Sequence, residues 1–149
     1  MKKLFCALFI AAFLVVFLAP SGRAENYDGA LKAAKALNKP LLLYFFSTTC
    51  HYCTLMDKDT LADSDVSAML KRDFVFLRID ADRSGDLSRL YRITGTPSSW
   101  FLEPTGKRIL EAPGYIQKPI YKKLLEYVKG KHYNDMDVEA YLKKTSGQK

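Results

Sequence analysis

Residues 41–53 of this 149-residue chain, LLLYFFSTTCHYC, join an apolar run to a pair of cysteines. The apolar residues 41–46 are typical of a strand buried on both faces of a sheet. Residues 47–49 carry hydroxyl side chains, which favour a helix start at or just after Cys50. We therefore predict a strand, a short turn and a helix whose N-terminus carries Cys50, with Cys53 one turn further on.

Cys50 and Cys53 have the spacing that lets one sulfur attack and the other resolve. Free N–H groups and the macrodipole at a helix N-terminus stabilise a thiolate, so we expect a lowered pKa for the Cys50 thiol and a shielded position for Cys53. Cys50 would attack a substrate disulfide, and Cys53 would then displace the reduced substrate from the mixed disulfide. The pair therefore predicts thiol–disulfide exchange.

His51 and Tyr52 lie between the two cysteines. A protonated His51 would place a positive charge close to Cys50 and favour its thiolate further. The alternative for His51 is a passive, exposed residue at the helix start, because an imidazole is mostly neutral at pH 7. Tyr52 is expected to shape the lip of the site or to touch a partner.

A structural disulfide and a metal site are the other uses of such a pair. A loop of four residues removes little unfolded-state entropy, about 2 kcal/mol against roughly 4.7 kcal/mol for a 100-residue loop. Only His51 and His132 could add histidine ligands, too few with the two cysteines for a convincing zinc site. Haem attachment needs a histidine directly after Cys53, and Thr54 is there instead. We therefore expect no metal and no cofactor.

Thr96 and Pro97 form a second signal, just before a predicted strand that the chain order places beside the cysteines. Because proline has no backbone donor, Pro97 can leave the approach to the sulfurs open. A cis bond would explain a tight entry into the strand. We predict a cis Thr96–Pro97 bond, the alternative being an ordinary loop proline.

The remaining patterns predict a mixed sheet covered by helices on both faces, which is an α/β sandwich. Strands are expected at residues 41–46, 74–79, 98–102 and 107–112, the last two as an antiparallel hairpin. Helices are expected at residues 30–37, 51–61, 66–70, 86–91, 119–128 and 137–143, the first capped by Asn26 or Asp28. Leu37, Leu90 and Ile120 are among the apolar residues expected to face the core.

The N-terminus predicts export, because a basic start precedes an apolar run at residues 4–19 that holds no charge and no proline. Small residues then lead to a predicted signal cleavage between Ala24 and Glu25. The alternative is an uncleaved anchor, for which this run is slightly short of the roughly 17–25 residues that span a bilayer. Residues 1–24 are thus the predicted signal peptide, and residues 25–149 form one domain.

The charge of the chain argues against a nucleic-acid partner. Removal of the signal takes away Lys2, Lys3 and Arg23, which leaves 20 of the 23 basic side chains against all 16 acidic ones, a formal charge of +4. The basic residues lie on segments that read as amphipathic helices, where a solvated surface explains them better.

Together these motifs resemble the thioredoxin superfamily over about residues 40–128. The resemblance rests on Cys50-His51-Tyr52-Cys53 after a hydrophobic strand, Thr96-Pro97 before the hairpin, and Gly114 ahead of a terminal helix. Residues 53–70 are similar to periplasmic thioredoxin-like proteins, such as those linked to sulfur oxidation, and to the exported C-terminal domain of the transmembrane reductase DsbD. The resemblance implies a thioredoxin-like three-layer sandwich with an additional C-terminal helix, in which Cys50 is the exposed nucleophile, Cys53 its buried partner and Pro97 the cis-proline.

Tyr44 departs from the family pattern. Thioredoxins proper carry a buried carboxylate six residues before the first cysteine, and this chain has Tyr44 there. The proton acceptor for Cys53 is therefore open: a neighbouring side chain, water or the partner could serve. The His51-Tyr52 dipeptide also differs from the Gly-Pro of cytosolic thioredoxin and the Pro-His of the oxidant DsbA. The reduction potential of this chain therefore cannot be inferred from that of either protein.

Our hypothesis is a periplasmic or otherwise exported thiol–disulfide oxidoreductase that reduces protein disulfides and is recharged by a membrane-bound thiol donor. One alternative is an oxidant of the same fold that donates disulfides to secreted proteins. Another is a non-enzymatic module that uses the fold as a scaffold, for example as a metal carrier.

Overall fold

A mixed four-stranded sheet forms the centre of the computed structural model, which describes residues 27–147. Its strands are β1 (Leu41–Phe46), β2 (Val75–Asp80), β3 (Ser98–Leu102) and β4 (Arg108–Pro113), in the spatial order β2-β1-β3-β4. β1 runs parallel to β2 and antiparallel to β3, and β3 and β4 form the predicted antiparallel hairpin. The mixed sheet is therefore confirmed.

Helices cover both faces of this sheet. They are α1 (Tyr27–Leu37), α2 (His51–Leu55), a π-helix (Met56–Leu61), α3 (Ser64–Asp73), α4 (Gly85–Leu90), α5 (Lys118–Lys129), a short 3₁₀ turn (His132–Asn134) and α6 (Val138–Ser146). The side chains of α3, α5 and α6 pack in one apolar cluster, and those of α1 pack in the other. The predicted three-layer sandwich is confirmed.

β1 connects the two clusters because successive side chains of a strand point to opposite faces. Leu42 and Tyr44 belong to the cluster of α3 and α5, whereas Leu41, Leu43 and Phe45 belong to that of α1. All five side chains are fully buried. An apolar residue at every position of β1 is therefore what a strand buried on both faces requires.

The predicted helix at residues 51–61 is wrong in one respect. It is α-helical only to Leu55 and continues as the π-helix, in which the Ala62 N–H donates to the Asp57 carbonyl at 3.0 Å. Thr60 of this segment is fully buried, and its Oγ1 donates to the Ile116 carbonyl at 2.7 Å. This contact ties the π-helix to the segment that leads into α5.

Three residues expected in the core are exposed instead: Leu37, Leu90 and Ile120. Leu37 and Leu90 are the last residues of α1 and α4, and the buried residues of α1 are Ala30 and Ala34 further back in the helix. Ile120 lies beside the buried stripe of α5, which is formed by Tyr121, Leu124, Leu125, Tyr127 and Val128. The spacing of apolar residues thus predicts which face of α1 and α5 is buried, but it does not predict which residues at the end or the edge of that face stay exposed.

The helix bounds differ modestly from the predicted ones at both ends of the chain. α1 begins at Tyr27, three residues earlier than predicted, so Asp28 lies in its first turn rather than at its cap, and Asn26 falls outside the described residues. At the other end, Asp137 caps α6 by accepting the Ala140 N–H at 2.8 Å. α6 packs on α5 through the rings of Tyr127 and Tyr141, whose centroids are 5.2 Å apart.

The predicted signal peptide, residues 1–24, lies outside the described residues, so it stays a prediction. Within residues 27–147, no helix has both the length and the apolar composition that crossing a membrane requires.

Asp73 links the ends of α3 and α5 by ion pairs. Its carboxylate lies 2.8 Å from Arg72 and 3.0 Å from Lys129, and its side chain is mostly buried. The hydrogen bond from the Arg72 guanidinium, supported by Lys129, lowers the pKa of Asp73 from 3.8 to about 2. A carboxyl whose pKa is lower in the folded state stabilises that state above the pKa of the unfolded chain.

Asp73→Asn should therefore lower the free energy of unfolding at neutral pH, because it removes the ionised partner of two cations. The difference from the wild type should be full above about pH 4 and shrink as the pH falls towards 2, as the wild-type carboxylate becomes protonated. Urea unfolding across this range measures it. Asp59→Asn is the control, since Asp59 is exposed and has no ion pair among the described residues; the same pH dependence in both variants would contradict the prediction.

Candidate active site

Cys50 lies at the N-cap of α2, where residues 47–49 turn the chain out of β1. Its backbone is extended (φ −83°, ψ 112°), and its Sγ accepts the Cys53 N–H at 3.1 Å. The Cys50 carbonyl accepts the Thr54 N–H at 3.2 Å, which starts the helical ladder. The predicted position of Cys50 at a helix N-terminus is confirmed.

Cys50 and Cys53 are joined by a disulfide, with their Cα atoms 5.2 Å apart. Cys53 is 2% exposed and belongs to the buried side of α2, whereas Cys50 is only partly buried. A thiol or thiolate from solvent can therefore reach the sulfur of Cys50 more readily than that of Cys53. In the reduced state, the same difference favours Cys50 as the attacking group.

The Thr96–Pro97 peptide bond is cis, as predicted. The Thr96 carbonyl oxygen lies 3.3 Å from the Sγ of Cys50, close enough to accept a hydrogen bond from the reduced thiol. Pro97 is buried, and its carbonyl accepts the Gly114 N–H at 2.7 Å. Gly114 has a φ of +79°, a conformation that side chains rarely adopt, so glycine suits this position.

His51 and Tyr52 both lie on the outer side of α2, and Tyr52 is 60% exposed. Their rings contact each other edge to face, with centroids 5.8 Å apart. Among the described residues, no hydrogen bond joins either side chain to a sulfur. Both side chains are thus exposed between the two cysteines, and the predicted roles of His51 and Tyr52 stay predictions.

Tyr44 is fully buried, and its hydroxyl has no hydrogen-bond partner among the described residues. Burial, chiefly, and the nearby charge of Asp57 raise the pKa of this phenol. Tyr44 therefore stays protonated at neutral pH. It cannot take the part of an ionised carboxylate in the family's usual position.

Arg78 covers Tyr44 from the neighbouring strand. The two residues are register partners on β2 and β1, and the guanidinium carbon lies 5.0 Å from the Tyr44 ring centroid and 4.7 Å from that of Phe46. Asp57 accepts two hydrogen bonds from Arg78, at 2.6 and 2.9 Å. Sequence reasoning missed this group; an arginine within an apolar strand was its only signal.

Asp57 follows Cys53 by four residues, about one helical turn. Its carboxylate is neutralised by Arg78 and is half exposed. An acidic residue therefore follows the buried cysteine by about one helical turn of the chain, on the π-helix rather than on β1.

A sequence model of the thioredoxin-like domain matches residues 27–129. The chain belongs to the thioredoxin-like family. Among solved structures, a thioredoxin from Thermus thermophilus is similar at 32% identity with a TM-score of 0.63, over 68% of this chain and 82% of that one. The fold predicted from the motifs is thus confirmed independently.

Two curated relatives of this thioredoxin-like protein are thiol:disulfide interchange proteins. DsbD of Ralstonia nicotianae is 34% identical over 56% of this chain, and DsbD 2 of Pseudomonas aeruginosa is 37% identical over 61%. The chain spans only 14% and 16% of these two proteins, and about a tenth of other curated relatives. The fold, the cysteine pair and these relatives together support a thiol–disulfide oxidoreductase.

Within residues 27–147, no group of three or more histidine, cysteine, aspartate or glutamate side chains is arranged to hold a metal ion. The thioredoxin-like domain therefore offers the two sulfurs of Cys50 and Cys53 without a surrounding set of ligands.

Tyr44→Phe should leave the free energy of unfolding unchanged or raise it by up to about 1 kcal/mol, because the lost hydroxyl is buried without a partner. The matched control is Tyr121→Phe, whose hydroxyl pairs with that of Ser99 at 3.1 Å and whose loss should cost about 1 kcal/mol. Urea unfolding compares the two. An equal loss in both variants would show that the Tyr44 hydroxyl has a partner, such as a bound water. Thiol exchange should survive Tyr44→Phe.

Proposed function

We propose that this thioredoxin-like protein is an exported oxidoreductase that reduces disulfides in protein substrates. The observation that carries the proposal is the disulfide between a partly exposed Cys50 at a helix N-terminus and a buried Cys53. Export rests on the signal-like residues 1–24. Protein substrates rest on the interchange proteins to which the chain is similar.

In the first step, the Cys50 thiolate attacks one sulfur of a substrate disulfide. A new bond forms between Cys50 and the substrate, and the other substrate sulfur leaves as a thiolate that takes up a proton. The Cys53 N–H, 3.1 Å from the Cys50 Sγ, together with the helix N-terminus, stabilises the attacking thiolate.

In the second step, Cys53 loses its proton and attacks the Sγ of Cys50. The intramolecular disulfide forms, and the second substrate sulfur leaves, so that two electrons and two protons have passed to the substrate. Tyr44 is unsuited to take the proton of Cys53, so the acceptor is a neighbouring side chain such as Asp57, water or the partner. A membrane-bound thiol donor then reduces the pair by the reverse exchange.

Thr96 and Pro97 would form the wall against which the substrate is held. The short distance from the Thr96 carbonyl to the Cys50 Sγ supports this role. Tyr52, whose side chain is exposed beside Cys50 in the sequence, would contact the substrate chain. His51 would add positive charge near Cys50 in the fraction of molecules in which it is protonated.

Cys53→Ser should trap substrates as mixed disulfides through Cys50, because the resolving thiol is gone. Non-reducing electrophoresis and mass spectrometry of the exported protein would identify the substrates and the donor together. Cys50→Ala should abolish insulin reduction, and the double variant should trap nothing. Undiminished insulin reduction by Cys50→Ala, or an empty trap in Cys53→Ser, would contradict the proposal.

The proposed reducing direction predicts a low reduction potential for the Cys50–Cys53 disulfide. A reductase should equilibrate with glutathione at a potential clearly below about −150 mV. A value near or above that figure would instead assign the protein as a donor of disulfides to secreted proteins. Quantifying the reduced and oxidised forms by alkylation and mass spectrometry across glutathione ratios gives the potential.

A further inference from the structure

A hydrogen-bonded turn fixes the chain immediately before Cys50. The Ser47 carbonyl accepts the Cys50 N–H at 3.2 Å, and the Ser47 Oγ accepts the Thr49 N–H at 3.3 Å. The hydroxyls of Ser47 and Thr49 are also 3.1 Å apart. Ser47 is thus the residue on which the turn closes.

Asp82 anchors this turn from a distant part of the sequence. The Ser47 hydroxyl donates to the Oδ2 of Asp82 at 2.6 Å across 35 positions of the chain. Beside it, the Ala81 N–H donates to the Phe46 carbonyl at 2.8 Å. The loop that follows β2 therefore holds the end of β1 and the turn after it by two hydrogen bonds.

The numbers of hydrogen-bond donors and acceptors on a serine hydroxyl determine the direction of these contacts. A hydroxyl has one proton to donate and two lone pairs to accept. Because the proton of Ser47 goes to the Asp82 carboxylate, its oxygen is left to accept the Thr49 N–H and the Thr49 hydroxyl proton. Asp82 thereby orients the serine so that both bonds of the turn can form, and a bond to a carboxylate is stronger than one between neutral groups.

We propose that Ser47 and Asp82 act as a pair of positioning residues that hold Cys50 over the N-terminus of α2; this rests on the proposed role of Cys50 as nucleophile. The bond from the Cys53 N–H to the Cys50 Sγ forms with the backbone of Cys50 in an extended conformation. Within the turn that Ser47 closes, the N–H of Cys50 donates to the carbonyl of the same serine. If the turn loosens, the sulfur spends less time at the helix N-terminus and its thiolate is less stable.

Substitution of Ser47 isolates this positional effect from charge effects. The ionisable residues on the elements that meet at this site include His51 on α2, Asp80 at the end of β2, Asp82 and Arg83 in the loop that follows β2, and Arg92 ahead of the cis-proline loop. They also include the ion pair of Arg78 on β2 with Asp57 on the π-helix. Ser47→Ala leaves every one of these charges in place. A change in the titration of Cys50 would therefore report on its position.

The test is the pH dependence of Cys50 alkylation in the reduced full chain, with peptide mapping to assign the modified sulfur. Ser47→Ala should slow alkylation at pH 7 by about three- to tenfold, because a rise of one unit in the pKa of Cys50 lowers the thiolate fraction by up to tenfold. The rate at high pH should equal that of the wild type. Ser47→Thr, which keeps the hydroxyl, should restore the profile, and Thr49→Val should move it in the same direction by less.

The matched control is Thr48→Ala, in the same turn, since the Thr48 side chain makes no hydrogen bond among the described residues. An unmoved profile in Ser47→Ala, or a shift of equal size in Thr48→Ala, would overturn the proposal. Ser47→Ala should also have a smaller effect in an Asp82→Ala background, where the serine is no longer anchored but can still accept the Thr49 N–H. Full additivity of the two substitutions would likewise overturn the pairing.

This measurement needs no substrate, so it separates the inference from the proposed function. If the wild type fails to reduce insulin while Ser47→Ala shifts the Cys50 profile, the proposed function fails and the positioning pair stands. If insulin is reduced and the profile does not move, the positioning pair fails and the proposed function stands.

Discussion

The burial of β1 on both faces is the constraint on which the rest of the structure depends. A strand with no solvated face needs a helical layer on each side and a strand on each edge, and all four neighbours are present. Because β1 is fixed from every direction, the point where it ends is fixed as well. The turn at Ser47 and the helix start at Cys50 follow directly from this fixed point.

The site is assembled where the chain leaves β1, from three loops that reach the same end of the sheet. The loop after β1 supplies Cys50, the loop after β2 supplies Asp82, and the loop before β3 supplies Thr96. Parallel pairing of β1 with β2 and antiparallel pairing with β3 bring these loops together. The strand order therefore determines which side chains surround the Cys50 sulfur.

Local patterns predicted the strand and the capped cysteine, because these features are determined by neighbouring residues, whereas the cis-proline was predicted only by combining Thr96-Pro97 with the distant cysteine pair. The contacts of Ser47 with Asp82 and of Asp57 with Arg78 could not be predicted in this way, since they join residues 35 and 21 positions apart. They depend on strand register and loop shape. Apolar periodicity likewise placed Leu90 in the core, because the pattern does not show where a helix leaves the sheet.

The two residues between the cysteines differ from the cysteines in one further way. Cys50 and Cys53 are bound into the turn, the helix and each other, whereas the side chains of His51 and Tyr52 project outward and make no hydrogen bond within the described residues. The hydrogen bonds that hold the site together therefore do not depend on these two side chains. Engineering of this protein as an electron carrier of chosen strength would begin at those two positions, with the architecture left untouched.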